Sequence, residues 1–411
     1  MDFKFWGSLH NHTDLSNLRL RDSINKVESL IDYALELHHE VLAITEHETI
    51  ASAIKAEKYY KKIKEKNPNF KLILGNEIYL CRNGLNLSNY NSKKDKFYHF
   101  ILLAKDEIGH EQIREISTRA WSHSFSYRKM TRVPTYYQDI LEVVGRNPGH
   151  IIASTACLGG CLPTQLLRYR EGQEQDSELY SKIKLWCVQL RDLFGSGNFF
   201  LEMQPSFNKE QIYVNNKIIE LSEELNIPFI ITTDSHYLKK EDRPIHKAFL
   251  NSQNGDREVD AFYATTYLMN TEEICSYMQE YIGIDNLQKA FDNIAFIKDS
   301  CVDYSLQKSL KIPRLSWKQP NQIKNMEKWV KLIPELELFL NSPYEGDNYL
   351  AKLTMNKIEE DTTLQNTETY KEINACFNDI WVSSEANKAR WSNYLLNLQN
   401  IIEECWKAGS L

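Results

Sequence analysis

Histidine, acid and thiol side chains recur in short clusters along the first part of the chain: His10-Asn11-His12, Glu46-His47, Asn76-Glu77, His99, Cys157 and Asp234-Ser235-His236. Imidazole, carboxylate and thiolate are the groups that hold Zn²⁺ and related divalent ions. In an extended segment side chains alternate between faces, so His10 and His12 point to one side, as do Asp234 and His236. A lone His-x-His is weak, Glu77 alone serves equally as an ion-pair partner, and Cys157 alone reads as a small core residue. Their recurrence in series is what points to a metal centre. Asp22, in the stretch NLRLRDS after His12, is either the cap of the next helix or a further ligand. His38, His39, His110, His123 and His150 fall in helices or loops and are read as solvated or structural.

The elements that must position these groups follow from apolar patterning. Short runs at 3–9, 41–45, 71–80, 97–104, 151–155, 199–203 and 229–233 are rich in β-branched and aromatic residues, as in strands buried on both faces. Between them, Ile24, Val27, Leu30, Ile31, Ala34 and Leu35 fall at steps of three and four, with Asp22 or Ser23 placed to cap the start. Further helices are expected at 51–66, 177–194 and 210–225. Strands alternating with helices imply parallel βα units in a closed or nearly closed barrel, or else an open doubly wound sheet. In α/β barrels the chemistry gathers at the carboxyl ends of the strands. His12, His47, Glu77, Cys157 and His236 all lie at or just beyond such ends, whereas His99 stands near the beginning of its run. The pattern places one domain at 1–300, an irregular linker at 301–320 and a mainly helical segment at 321–411.

The chain has 411 residues, a net charge of −7 and 42% hydrophobic residues, enough for a large core and against a protein held to nucleic acid by overall charge alone. Its eight cysteines are scattered, which favours a reducing, cytoplasmic setting. The N-terminal MDFKFWGSLHNH has no signal-peptide pattern, and no run of about 18 apolar residues suggests a membrane span. Residues 121–137, WSHSFSYRKMTRVPTYY, interleave Arg128, Lys129 and Arg132 with aromatic rings, as single-stranded nucleic acid would require, or as a solvated loop would allow. The lysines between 55 and 66 alternate with Glu57 and Glu65 and read as a solvated helix face.

The motifs SLHNHTDLS, LAITEH, GNEIYL, YHFILLAKDEIG, STACLGG and TTDSHYL resemble the PHP (polymerase and histidinol phosphatase) family. Their order, and the cysteine of STACLGG, are more similar to the PHP domain of DNA polymerase III alpha subunits than to the small-molecule phosphatases. That resemblance implies an α/β fold, a distorted (β/α)7 barrel. It also implies two or three divalent ions, Zn²⁺, Mn²⁺ or Fe²⁺, held by His10, His12, Asp22, His47, Glu77, His99, Cys157, Asp234 and His236. Two departures stand out: the family's Thr-Asp-His is Thr45-Glu46-His47 here, and the segment from His12 to Asp22 is longer than usual. RWSNYLLNLQNIIEECWKAGSL resembles the helix that precedes the glycine-rich segment of these polymerases, and no acidic triplet for nucleotidyl transfer follows it. The chain is therefore expected to be a fragment or a split-gene product, without polymerase activity of its own.

The implied activity is metal-dependent 3′–5′ exonuclease hydrolysis of DNA, with Glu77 and Asp234 as bridging carboxylates and no covalent nucleophile. DNA, as a single strand or 3′ end, and a polymerase chain or other replisome subunits are the implied partners. A phosphatase of the histidinol-phosphatase type and a metal-stabilised, non-catalytic scaffold are the alternatives.

Overall fold

β-Branched and aromatic residues crowd the apolar runs, and in the computed structural model these runs become the staves of a curled sheet. The structure describes residues 3–81, 90, 91, 95–127, 130–172, 176–252, 260–308, 312, 313, 316, 323 and 325–409. The strands are β1 (Val41–Ile44), β2 (Lys71–Cys81), β3 (Tyr98–Ala104), β4 (Phe125–Tyr127), β5 (Met130–Arg132), β6 (Thr135–Tyr136), β7 (Ile151–Ser154), β8 (Phe199–Met203) and β9 (Phe229–Ile231). The main sheet runs β1-β2-β3-β7-β8-β9, with β6 beside β2, while β4 and β5 form a separate hairpin. Every residue of β1, β7, β8 and β9 is buried, because helices such as Ala53–Lys64, Ser177–Phe194 and Lys209–Leu225 cover the outer face.

Three expectations are corrected here. The sheet is mixed, not a series of parallel βα units: β3 is antiparallel to both β2 and β7. Among the described residues no helix lies between β2 and β3, and antiparallel neighbours need no helical crossover. The reversed direction brings the start of β3, where His99 stands, to the end of the sheet at which the other strands finish.

The second correction concerns the run at 3–9, which is extended but not a regular strand. It nonetheless closes the barrel. The Trp6 carbonyl accepts from Val41 at 3.1 Å, that of Ser8 from Ala43 at 3.0 Å, and that of Asn11 from Thr45 at 2.9 Å. On its other side the His12 amide donates to the Ser235 carbonyl at 2.9 Å. Gly7 interrupts the ladder with φ of +144°, and a Cβ there would stand 1.7 Å from the Val41 carbonyl oxygen. Only glycine allows the segment to lie so close to β1.

The first helix is Val27–Glu36, and its N-cap is Lys26, so neither Asp22 nor Ser23 caps it. The core of this unit is built from both faces of the sheet, with Phe5, Phe100, Phe194, Phe199, Phe200 and Phe291 buried in it. Contacts divide the chain into Met1–Leu306 and Gln307–Leu411. The second unit is helical and packs Trp329, Phe339, Met355 and Phe377 at its centre. Among the described residues no helix is long and apolar enough to cross a membrane.

Candidate metal centre

The strand ends deliver their side chains to one point. His10 and His12 come from the closing segment, His47 follows β1, Glu77 lies within β2, His99 opens β3, Cys157 follows β7, and Asp234 and His236 follow β9. Asp22 reaches the same place from the loop after His12, with its amide held by Asn17 Oδ1 at 2.9 Å and its carbonyl by His246. Asp234 and Ala156 adopt left-handed backbone, φ 47° and 58°, at the turns that aim Asp234 and Cys157.

The distances define three groups, the first two sharing His12: His12, His47 and His236; His10, His12 and Asp234; and Glu77, His99 and Cys157. Asp234 Oδ1 lies 3.2 Å from His10 Nε2 and 3.1 Å from His12 Nε2. Glu77 Oε1 lies 3.4 Å from His10 Nε2 and 2.8 Å from His99 Nδ1, and Oε2 of the same side chain meets His47 Nδ1. Cys157 Sγ is 3.4 Å from His99 Nδ1. Asp22 spans His47 Nε2 at 3.2 Å and His236 Nε2 at 3.6 Å. All these side chains are buried except His99, which is 23% exposed.

This arrangement fits divalent cations. Glu77 Oε1 and Asp234 Oδ1, although wedged between ring nitrogens, lack an aligned hydrogen-bond donor among the described residues. Two ring nitrogens, His10 Nε2 and His12 Nε2, face each other at 3.1 Å, a spacing a shared cation would explain better than two lone pairs. The charges agree. Burial would depress His10, but Asp234 and Glu202 raise it well above its usual range. Burial likewise opposes His47, and Asp22 and Glu77 outweigh it. Burial and the neighbouring His47 hold His12 neutral, at about 3, the form that ligates. Burial and the charges of Asp234 and Glu77 push the Cys157 thiol up. A cation would supply the positive charge that the protonated histidines otherwise provide and would release the thiolate.

Sequence reading missed the layer behind these groups. Glu202, buried in β8, takes His10 Nδ1 at 2.7 Å and is itself fixed by Ser154 Oγ at 2.5 Å and Thr232 Oγ1 at 2.6 Å. A carboxylate behind a ligating histidine sets its tautomer. The only signal was an acid inside an apolar strand, FFLEM. Tyr263 OH adds a bond to Asp22 Oδ2 at 3.3 Å. Glu46 does not face the centre. It binds the Thr13 amide at 2.9 Å and the hydroxyls of Thr13 and Ser16, and Ser16 Oγ in turn meets His12 Nδ1 at 3.1 Å. Of the other histidines, His39 and His110 are buried and His123 is exposed.

Of the basic loop, Arg128 and Lys129 lie outside the described residues. Arg132, on β5, places its guanidinium over the Phe97 ring at 5.8 Å, and Tyr90 packs on Phe125 and Tyr127 at 5.2 and 4.6 Å. These rings are engaged with one another.

Residues 8–206 match the PHP domain. The chain is 37% identical to "Probable DNA polymerase YorL" of Bacillus subtilis (strain 168) over 97% of its own length and 32% of that protein's. The same figures hold for the "DNA-directed DNA polymerase" of Bacillus phage SPbeta. The DNA polymerase III subunit alpha of Borreliella burgdorferi is 27% identical over 72% of this chain and 24% of its own. The chain thus spans about a third or less of these relatives. Residues 8–206 are thus a PHP domain, and the chain is similar over most of its length to one part of these DNA polymerase III alpha subunits and phage DNA polymerases.

Proposed function

We propose that the PHP domain of this chain is a metal-dependent 3′–5′ exonuclease serving a DNA polymerase of the alpha-subunit kind. One observation carries the reading: His10, His12, Asp22, His47, Glu77, His99, Cys157, Asp234 and His236 converge at one end of the barrel, with carboxylate oxygens left without donors. Bound divalent ions would supply an activated water and neutralise the oxygens of a scissile phosphodiester. Glu77 and Asp234, which touch the most ring nitrogens, would bridge two ions, and the histidines and Cys157 would hold single ones. Glu202 keeps the His10 proton on Nδ1, leaving Nε2 free to ligate. His99, the one partly exposed member, marks the side from which a strand end would approach. Arg132, with Arg128 and Lys129 of the same segment, is read as a phosphate track, and 307–411 as the beginning of a polymerase region.

The test is release of mononucleotides from a 3′-labelled single strand with added Mn²⁺ or Zn²⁺, with a phosphomonoester assayed in parallel. Mononucleotide release supports the reading. Phosphomonoester cleavage alone would replace it with a small-molecule phosphatase. No release by a folded, metal-loaded protein would leave the scaffold role.

A further inference from the structure

Phe207 is the most exposed of the large hydrophobic side chains among the described residues, at 72%. It follows β8 on the loop Gln204–Asn208, at the end of the barrel that holds the metal centre. The loop is firmly held. Gln204 and Ser206 are buried, Gln204 Nε2 donates to Glu202, and the Asn208 amide donates to Ser206 Oγ at 3.0 Å. Asn208 then caps the helix Lys209–Leu225. The ring rests on Tyr277, 4.5 Å between centroids, and leaves most of its surface to solvent. A rigid loop that presents an aromatic ring to water beside a hydrolytic centre is a platform for a planar ligand.

A small cleft beside the same loop is lined by the sequence neighbours of two candidate ligands. Leu158, next to Cys157, and Thr233, next to Asp234, line it together with Gln204, Ser206, Thr265 and Phe262. Its free volume, ≈ 10 Å³, holds about one water and no ring. A base must therefore lie outside the cleft, over Phe207.

Resting on the exonuclease reading, we propose that Phe207 is the stacking platform for a base at the 3′ end of the DNA strand. The occupant is a nucleobase because a strand end at the metal centre brings one within the same neighbourhood, and stacking tolerates any base, as end-trimming requires.

The experiment compares Phe207→Ala and Phe207→Trp with wild type on two oligonucleotides, one with a normal 3′ end and one whose two terminal residues are abasic. Binding is read by fluorescence anisotropy with Zn²⁺ present, and hydrolysis as kcat and KM. Phe207→Ala should weaken binding of the normal end and raise its KM by about tenfold. It should leave the abasic end, kcat and metal content unchanged, and Phe207→Trp should restore the loss. Equal loss on both ends, or none on either, overturns the proposal. A shift from dimer to monomer by sedimentation with DNA binding intact also overturns it, assigning the ring to a protein interface. If wild type binds the normal end more tightly than the abasic one but hydrolyses neither, the exonuclease reading fails while the stacking platform stands.

Discussion

His99 Nδ1 lies 2.8 Å from Glu77 Oε1, although His99 opens its strand and Glu77 sits late in the neighbouring one. Antiparallel pairing of β2 and β3, in which Tyr79 faces His99 across the ladder, is what brings them together. The Tyr79 ring stacks on His99 with centroids 4.5 Å apart, so the most exposed member of the cluster is held from its side.

Asp234 is the most demanding test of metal chemistry. Asp234→Asn keeps the side chain's size and removes the charge that faces His10 and His12. Hydrolysis of a DNA 3′ end should fall by at least about a hundredfold, with metal content reduced in elemental analysis. An Asn variant with full metal content and wild-type rate would remove Asp234 from the centre.

Glu202 acts one layer back. Glu202→Gln retains a hydrogen-bonding group toward His10 but loses the carboxylate charge, and should weaken metal affinity by roughly 10- to 100-fold. Competition with a chelator measures this directly. Far-ultraviolet circular dichroism should stay unchanged, because Thr232 can still donate to the amide oxygen at the Oε1 position while Ser154 Oγ accepts from the amide nitrogen at the other.

Gly7 tests closure of the barrel. In Gly7→Ala the new Cβ would strike the Val41 carbonyl in a backbone region that alanine rarely adopts. Unfolding stability should drop by at least about 3 kcal/mol. If the chain still folds, His10 and His12 should be displaced and metal lost first.

His39 gives a pH dependence away from the metal cluster. It is buried, its Nε2 donates to the Met269 carbonyl at 3.0 Å, and its Nδ1 has no hydrogen-bond partner among the described residues. Burial lowers its pKa to about 4. Between about pH 6.5 and 4 the unfolded chain binds a proton that the folded chain refuses, so stability falls as pH drops through that window. The His39 share is at most roughly 3 kcal/mol. His39→Gln should flatten the difference in urea midpoint between pH 7 and pH 4.5. An unchanged slope would show that His39 does not contribute.

The sequence by itself was enough for the donor chemistry. His-x-His and Asp-x-His spacing is local, set by the alternation of an extended chain, and the apolar runs that became β1, β2, β3, β7, β8 and β9 are equally local signals. What it left open were matters between distant segments. The direction of β3 depends on which neighbours it pairs with, and the polar stretch after β2 with no helical period was the sole local hint. Asp22 could have been a cap or a ligand until the helix began at Val27 and left its carboxylate between His47 and His236. Glu202 passed unnoticed as one acid in an apolar strand, and its purpose appears only when β8 lies beside the segment that carries His10. Residue type and local period are encoded in neighbouring positions, whereas the direction of β3 and the partner of a buried charge are settled by contacts between residues tens to nearly two hundred positions apart, which packing alone decides.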